Sequence, residues 1–144
     1  MSDYVTGMND GDCVLTSIAN YCKLDYNLVR GFALACGAFT PSVGTQTKYL
    51  DKILKNFGWR SVETRTYDIP LNCLLSYKNK GSETHHMVAV INGYIVSNGI
   101  IVGSAKQYLK STHHRRVFLL IDCREWLTRL GVSATHSIYQ EKTV

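Results

Sequence analysis

The sequence predicts an α+β domain in which helices come first and an antiparallel sheet follows. Three observations point there. Up to Gly58 the apolar residues recur at helical spacing. Beyond it they alternate, or run as short β-branched strings. Asn92-Gly93 then separates two such strings, a strong hairpin signal.

The elements follow in order. In "MNDGDCVLTSIANYC", residues 8–22, Val14, Leu15, Ile18, Ala19 and Cys22 form one helical stripe, with Asp12 or Asp10 as cap. "LDYNLVRGFALAC" predicts a second helix capped by Asp25, burying Leu28, Val29, Phe32 and Ala35. "GTQTKYLDKILKNFG" predicts a third, with Tyr49, Leu50, Ile53, Leu54 and Phe57 on one face and Gly58 as its stop. "WRSVETRTY", residues 59–67, alternates like a strand. "PLNCLLSY" reads as a short helix with proline in its first turn. "HHMVAVINGYIVSN", residues 85–98, is the hairpin, and "SAKQYLK" one or two helical turns. "RRVFLLI", residues 115–121, is a buried strand, and "DCREWLTRLG" a last helix capped by Asp122.

A chain of 144 residues makes a single domain over 1–144, long enough for one core without staples. A formal charge of +5 permits an acidic partner without demanding one. The basic stretch "KQYLKSTHHRR" reads as a solvated helix face running into a strand, so nucleic acid is not an expected partner. The start has neither a basic head nor an apolar h-region, and no apolar run is long enough to span a bilayer, which predicts a cytoplasmic protein with no membrane partner. Five cysteines, odd in number and irregular in spacing, read as reduced thiols. Without a C-x-x-C, no structural metal and no cofactor are expected.

The chemistry centres on Cys13. It follows "NDGD" at the mouth of the first helix rather than inside the apolar stripe. A helix N-terminus and a nearby histidine both lower a thiol's pKa, which makes it a nucleophile. His86 or His85, at the start of the hairpin, can supply the imidazole, and Asn98 or Ser97 can reach back from the second strand to orient it. Cys22, Cys36, Cys73 and Cys123 read as buried packing residues, and His113, His114 and His136 as surface residues.

"NDGDCVLTSIANYCKLDYNLVR" resembles the nucleophile helix of papain-like cysteine peptidases, above all the small phage-encoded members. "THHMVAVINGYIVSNG" is similar to their histidine hairpin, and "YLDKILKNFGW" to the helix between. The layout also resembles the leader peptidases of bacteriocin exporters. "DGDC" is similar to the opening of ovarian-tumour-type deubiquitinases, though only briefly. The resemblance covers residues 8–121; the last helix and tail, 122–144, lie outside it. It implies a papain-like fold with Cys13 as nucleophile and His86 as general base, preferred over His85 because it directly precedes "MVAV". The family's oxyanion glutamine lies six residues before the cysteine, and here that position is Gly7. Asn9, or the backbone N–H of Cys13, takes over that task.

The third member depends on strand register. A two-residue Asn92-Gly93 turn pairs Val88 with Ser97 and puts Ser97 on the histidine's face. A three-residue loop with a bulge pairs Val88 with Asn98 instead. An amide oxygen fixes an imidazole better than a hydroxyl, and the family commonly uses Asn there. Asn98 and the bulged loop are therefore expected, giving the set Cys13, His86 and Asn98. The expected function is a cysteine hydrolase cutting an amide bond in a protein or peptide substrate, phage-encoded and acting in the host cytoplasm. The alternative is an inactive papain-like scaffold that binds and blocks a host protein.

Overall fold

The structure is a computed structural model and describes residues 4–7, 11–41, 44–66, 68–79, 81, 85–108, 110 and 112–125. Helices α1 (Cys13–Cys22) and α2 (Tyr26–Ala35) come first, followed by a small antiparallel pair, β1 (Phe39–Thr40) and β2 (Gly44–Thr45). A 3-10 turn (Thr47–Tyr49) leads into α3 (Leu50–Asn56). Then come β3 (Trp59–Thr64), β4 (Cys73–Asn79), β5 (His85–Ile91), β6 (Tyr94–Ser97), β7 (Ile100–Ser104), the short α4 (Ala105–Tyr108) and β8 (Thr112–Asp122). The last six strands form one antiparallel sheet in the order β3-β8-β4-β5-β6-β7. The fold class is the α+β architecture expected.

Local signals explain most boundaries. The Asp25 carboxylate accepts the Asn27 and Leu28 N–H groups and starts α2. Gly58, at φ 84°, donates to the Lys55 carbonyl where α3 stops. Two element assignments need correction, and the strand over residues 115–121 buries only Val117 and Phe118. Residues 44–45 form β2 rather than opening the third helix. The stretch read as a proline-led helix is strand β4, buried from Cys73 to Tyr77. A strand covered on both faces is apolar without alternation, so its sequence looks like a buried helix turn.

The sheet is covered on both faces at its centre, over β4 and β5, while Val62, Leu119 and Ile121 on the β3–β8 side and Ile100, Ile101 and Val102 of β7 are exposed. Leu74, Met87, Ala89, Val96 and Phe118 pack on the helices with Leu15, Ile18, Ile53 and Leu54. Cys73, Leu75, Tyr77, Val88, Val90, Ile95 and Val117 form a second cluster with Ala105 of α4. Each buried Leu or Ile contributes roughly 1.5–3 kcal/mol. That outweighs a helix cap of about 1 kcal/mol, so packing sets where α1 lies. Cys22 and Cys73 are buried as expected, whereas Cys36 and Cys123 are half-buried at the ends of α2 and β8. On α2, Val29 is buried, Leu28 and Phe32 partly so, and Ala35 is exposed. The expected last helix has only its first residues within the described part; there Asp122 Oδ1 accepts the Arg124 N–H at 3.0 Å.

Candidate active site

Cys13 is the first residue of α1, half-buried against the helical core. Asp12 occupies the cap position, but its side chain makes no capping bond there. The carboxylate instead accepts the Tyr26 hydroxyl of α2. A tertiary partner has replaced the local one, contrary to the capping expected of Asp12; Asp10 lies outside the described residues. Val14 through Asn20 are all buried, Thr16, Ser17 and Asn20 included. The Ser17 hydroxyl lies 2.6 Å from the Cys13 carbonyl oxygen and 3.2 Å from that of Met87, which ties the first turn of α1 to β5. The Met87 backbone N–H faces the Cys13 thiol.

His86 is the residue before Met87. It pairs across the ladder with Tyr77 of β4, and the two rings meet edge to face at 5.8 Å. Tyr77 also feels the Cys13 thiol electrostatically, and its hydroxyl donates to Tyr108 Oη at 3.2 Å. Cys13, Tyr77 and His86 thus share one neighbourhood at the start of β5. Among the described residues no hydrogen bond joins the thiol to the imidazole. His86 Nε2 is 2.9 Å from Ser97 Oγ, a hydroxyl that can accept from or donate to the ring according to its tautomer.

Asn98 has a different position from the one expected. Ile91 pairs with Tyr94, so the loop holds only Asn92 and Gly93, both at positive φ. No bulged three-residue loop forms. The register that follows puts Ser97, not Asn98, on the His86 face. Asn98 is itself the first residue of a second two-residue turn, Asn98-Gly99, with φ of 48° and 84° between paired Ser97 and Ile100. Asn-Gly is favoured there because both central residues need φ > 0. The Asn98 Oδ1 accepts the Gly7 N–H at 2.8 Å. The same dipeptide rule that marks Asn92-Gly93 marks Asn98-Gly99, and applied a second time it removes Asn98 from the strand.

Gly7, at the position where papain-like peptidases carry a glutamine, has no space for a side chain. A Cβ there would stand 2.7 Å from Asp12 Cβ and 2.9 Å from Thr16 Cγ2. Asn9, expected at the oxyanion, lies outside the described residues. His85 is exposed, with Nδ1 3.4 Å from Ser76 Oγ. His114 is exposed and His113 half-buried, their rings 4.7 Å apart; His136 lies outside the described residues.

The electrostatics reverse one expectation. Burial pushes the Cys13 thiol up, and the Met87 and Val14 backbone amides only partly offset it. Burial also pushes His86 down. Both shifts favour the neutral forms, thiol and imidazole, rather than the low-pKa thiolate anticipated from the helix start. The other buried thiols are held protonated too, Cys73 being pushed up to about 12 by burial. Among the described residues no three His, Cys, Asp or Glu side chains converge as a metal site requires, and no helix is long and apolar enough to cross a membrane.

No protein-family model matches the chain, and no curated protein does. Among solved structures it is similar to a double-glycine-motif protease from an AMS/PCAT transporter, solved in complex with the leader peptide. The identity is 15% and the TM-score 0.53, over 82% of this chain and 91% of that one. At that identity the likeness is one of fold. Helices on an antiparallel six-stranded sheet, laid out as in that peptidase, make the fold papain-like.

Proposed function

We propose that the protein is a cysteine hydrolase of the papain-like type, cutting an amide bond in a peptide or protein, with Cys13 as nucleophile and His86 as general base. The observation that carries the reading is the His86 imidazole, held by Ser97 Oγ at Nε2 on the strand residue next to the one facing the Cys13 thiol. In the reactive tautomer Nε2–H donates to Ser97 Oγ and Nδ1 is the base. Sγ attacks the carbonyl carbon as Nδ1 takes the thiol proton; a neutral pair needs this concerted transfer. The tetrahedral oxygen draws on the Cys13 backbone N–H at the helix start, with Asn9 as a further donor. The imidazolium returns the proton to the departing amine, and water hydrolyses the thioester. In this scheme Ser97 takes the orienting role first assigned to Asn98. A peptide substrate is supported by the leader peptide bound to the similar protease. The phage affiliation rests on motif resemblance, and with it the host cytoplasm as the place of action.

The test is a peptide digest read by mass spectrometry. New termini should form with the wild type and be absent with Cys13→Ser and His86→Ala. Cleavage that survives Cys13→Ser refutes the assignment.

Two observations favour a second reading. Gly7 excludes the glutamine side chain, and burial raises the thiol. Both suit a catalytically weak scaffold that binds and blocks a host protein. Under that reading Cys13→Ser leaves partner binding intact, and no digest product depends on Cys13.

A further inference from the structure

The segment ahead of α1 is tied at both ends. Val5 exchanges two hydrogen bonds with the buried Asn20 side chain of α1. Its N–H donates to Oδ1 at 2.7 Å, and its carbonyl accepts from Nδ2 at 3.1 Å. Asn20 thus acts toward Val5 as a neighbouring strand would. Two residues on, the Gly7 N–H donates to Asn98 Oδ1 in the β6–β7 turn. Gly99 lies so close that a Cβ on it would stand 2.5 Å from the Val5 carbonyl oxygen. Gly7 itself packs on Asp12 and Thr16, at the start of α1. Residues 4–7 therefore touch both the helix that carries Cys13 and the hairpin whose Ser97 holds His86.

We propose that residues 4–7 form a strap that sets the spacing between Cys13 and His86, with Asn98 as the positioning residue at its hairpin end. The inference rests on Cys13 and His86 acting as a reactive pair. Core packing fixes how close α1 lies to the sheet, because apolar contacts are non-directional. Hydrogen bonds of defined geometry fix the shift along the sheet that core contacts leave soft. Asn98 supplies two things at once. It accepts positive φ in the turn, as glycine also would, and it offers the acceptor for Gly7, which glycine cannot. It bonds to neither Cys13 nor His86, so it acts through the strap.

These two properties separate in two variants. Asn98→Gly keeps the turn and loses the acceptor; Asn98→Asp keeps both. The readout is the rate of Cys13 carbamidomethylation by iodoacetamide at pH 7, followed by peptide mass spectrometry so that the other cysteines do not interfere. His86→Ala should slow the wild-type reaction. Asn98→Gly should slow it by the order of tenfold, since misplacing a reacting group by about 1 Å can cost up to about a hundredfold. Asn98→Asp should restore it. In the His86→Ala background, Asn98→Gly should have no further effect, because the strap acts by presenting the thiol to the imidazole. A merely structural role predicts equal effects in both backgrounds, and that result overturns the strap. An Asn98→Gly rate equal to wild type, or no rescue by Asp, overturns it as well. If His86→Ala leaves the wild-type rate unchanged, the reactive pair fails and the strap's purpose with it.

Discussion

Placing at position 7 the glutamine that papain-like peptidases carry six residues before their cysteine should weaken this protein rather than improve it. In Gly7→Gln the first added atom already collides. Its Cβ would stand 2.7 Å from Asp12 Cβ, 2.9 Å from Thr16 Cγ2 and 3.0 Å from Asp12 Oδ2. Asp12 Cβ cannot swing aside, being anchored by its backbone and by the carboxylate that accepts the Tyr26 hydroxyl. Relief requires α1 or residues 4–7 to move by several tenths of an ångström. Overpacking of this kind costs about 1–3 kcal/mol. At roughly 4 °C per kcal/mol for a domain of this size, Tm should fall by about 4–12 °C. Gly7→Ala should lose nearly as much, because the clash is at Cβ and Gln adds only the longer reach. Thermal unfolding followed by circular dichroism measures the shift. Digest activity of the folded Gly7→Gln protein, compared with wild type at a temperature where both are native, tests the chemistry. A Gly7→Gln protein that keeps its Tm and cleaves faster would refute the steric reasoning and restore the glutamine to its usual place.

Three further outcomes follow from the site and its surroundings. Cys13 should alkylate slowly at pH 6 to 7 and faster as pH rises through the alkaline range, because burial raises its pKa; rapid labelling at pH 6, read by peptide mapping, would show a preformed thiolate. Ser97→Ala should lower any Cys13-dependent cleavage by about tenfold, since the Nε2 partner at 2.9 Å holds the imidazole; an unchanged rate would leave His86 oriented by Tyr77 alone. Stability should fall in acid in two stages, measured by urea unfolding at each pH. Burial holds His86 below the usual 6.5, so the unfolded chain binds a proton the fold refuses, and stability declines as pH drops below about 6.5. Hydrogen bonds to Arg116 and Arg124 hold Glu63 and Asp122 below the usual carboxylate range. At Asp51, burial is outweighed by the Ser61 amide and Arg60. Their contribution is present at neutral pH and goes as pH falls below about 4, by a small amount because all three are solvent-facing. A profile flat between pH 7 and 5 would argue against a neutral, buried His86.

The sequence by itself determined the features that local chemistry controls. Cys13 opens a helix because apolar periodicity begins at Val14, Asp25 caps α2 with its own carboxylate, Gly58 stops α3, and Asn92-Gly93 turns the hairpin. Helix first and sheet second followed from the change of period, and the papain-like layout was what the motif resemblance implied. Tertiary structure decided what depends on partners distant in the chain. β4 is a strand because β5 and β8 flank it, and a strand buried on both faces carries no alternation to read. Asp12 gives up capping because Tyr26 arrives from α2. Ser97 rather than Asn98 meets His86 because two consecutive Asn-Gly turns set the register and leave Asn98 for the Gly7 amide. The state of the thiol was decided in the same way. A helix start lowers a thiol's pKa and burial raises it, and here, with Cys13 packed into the core, desolvation outweighs the backbone amides.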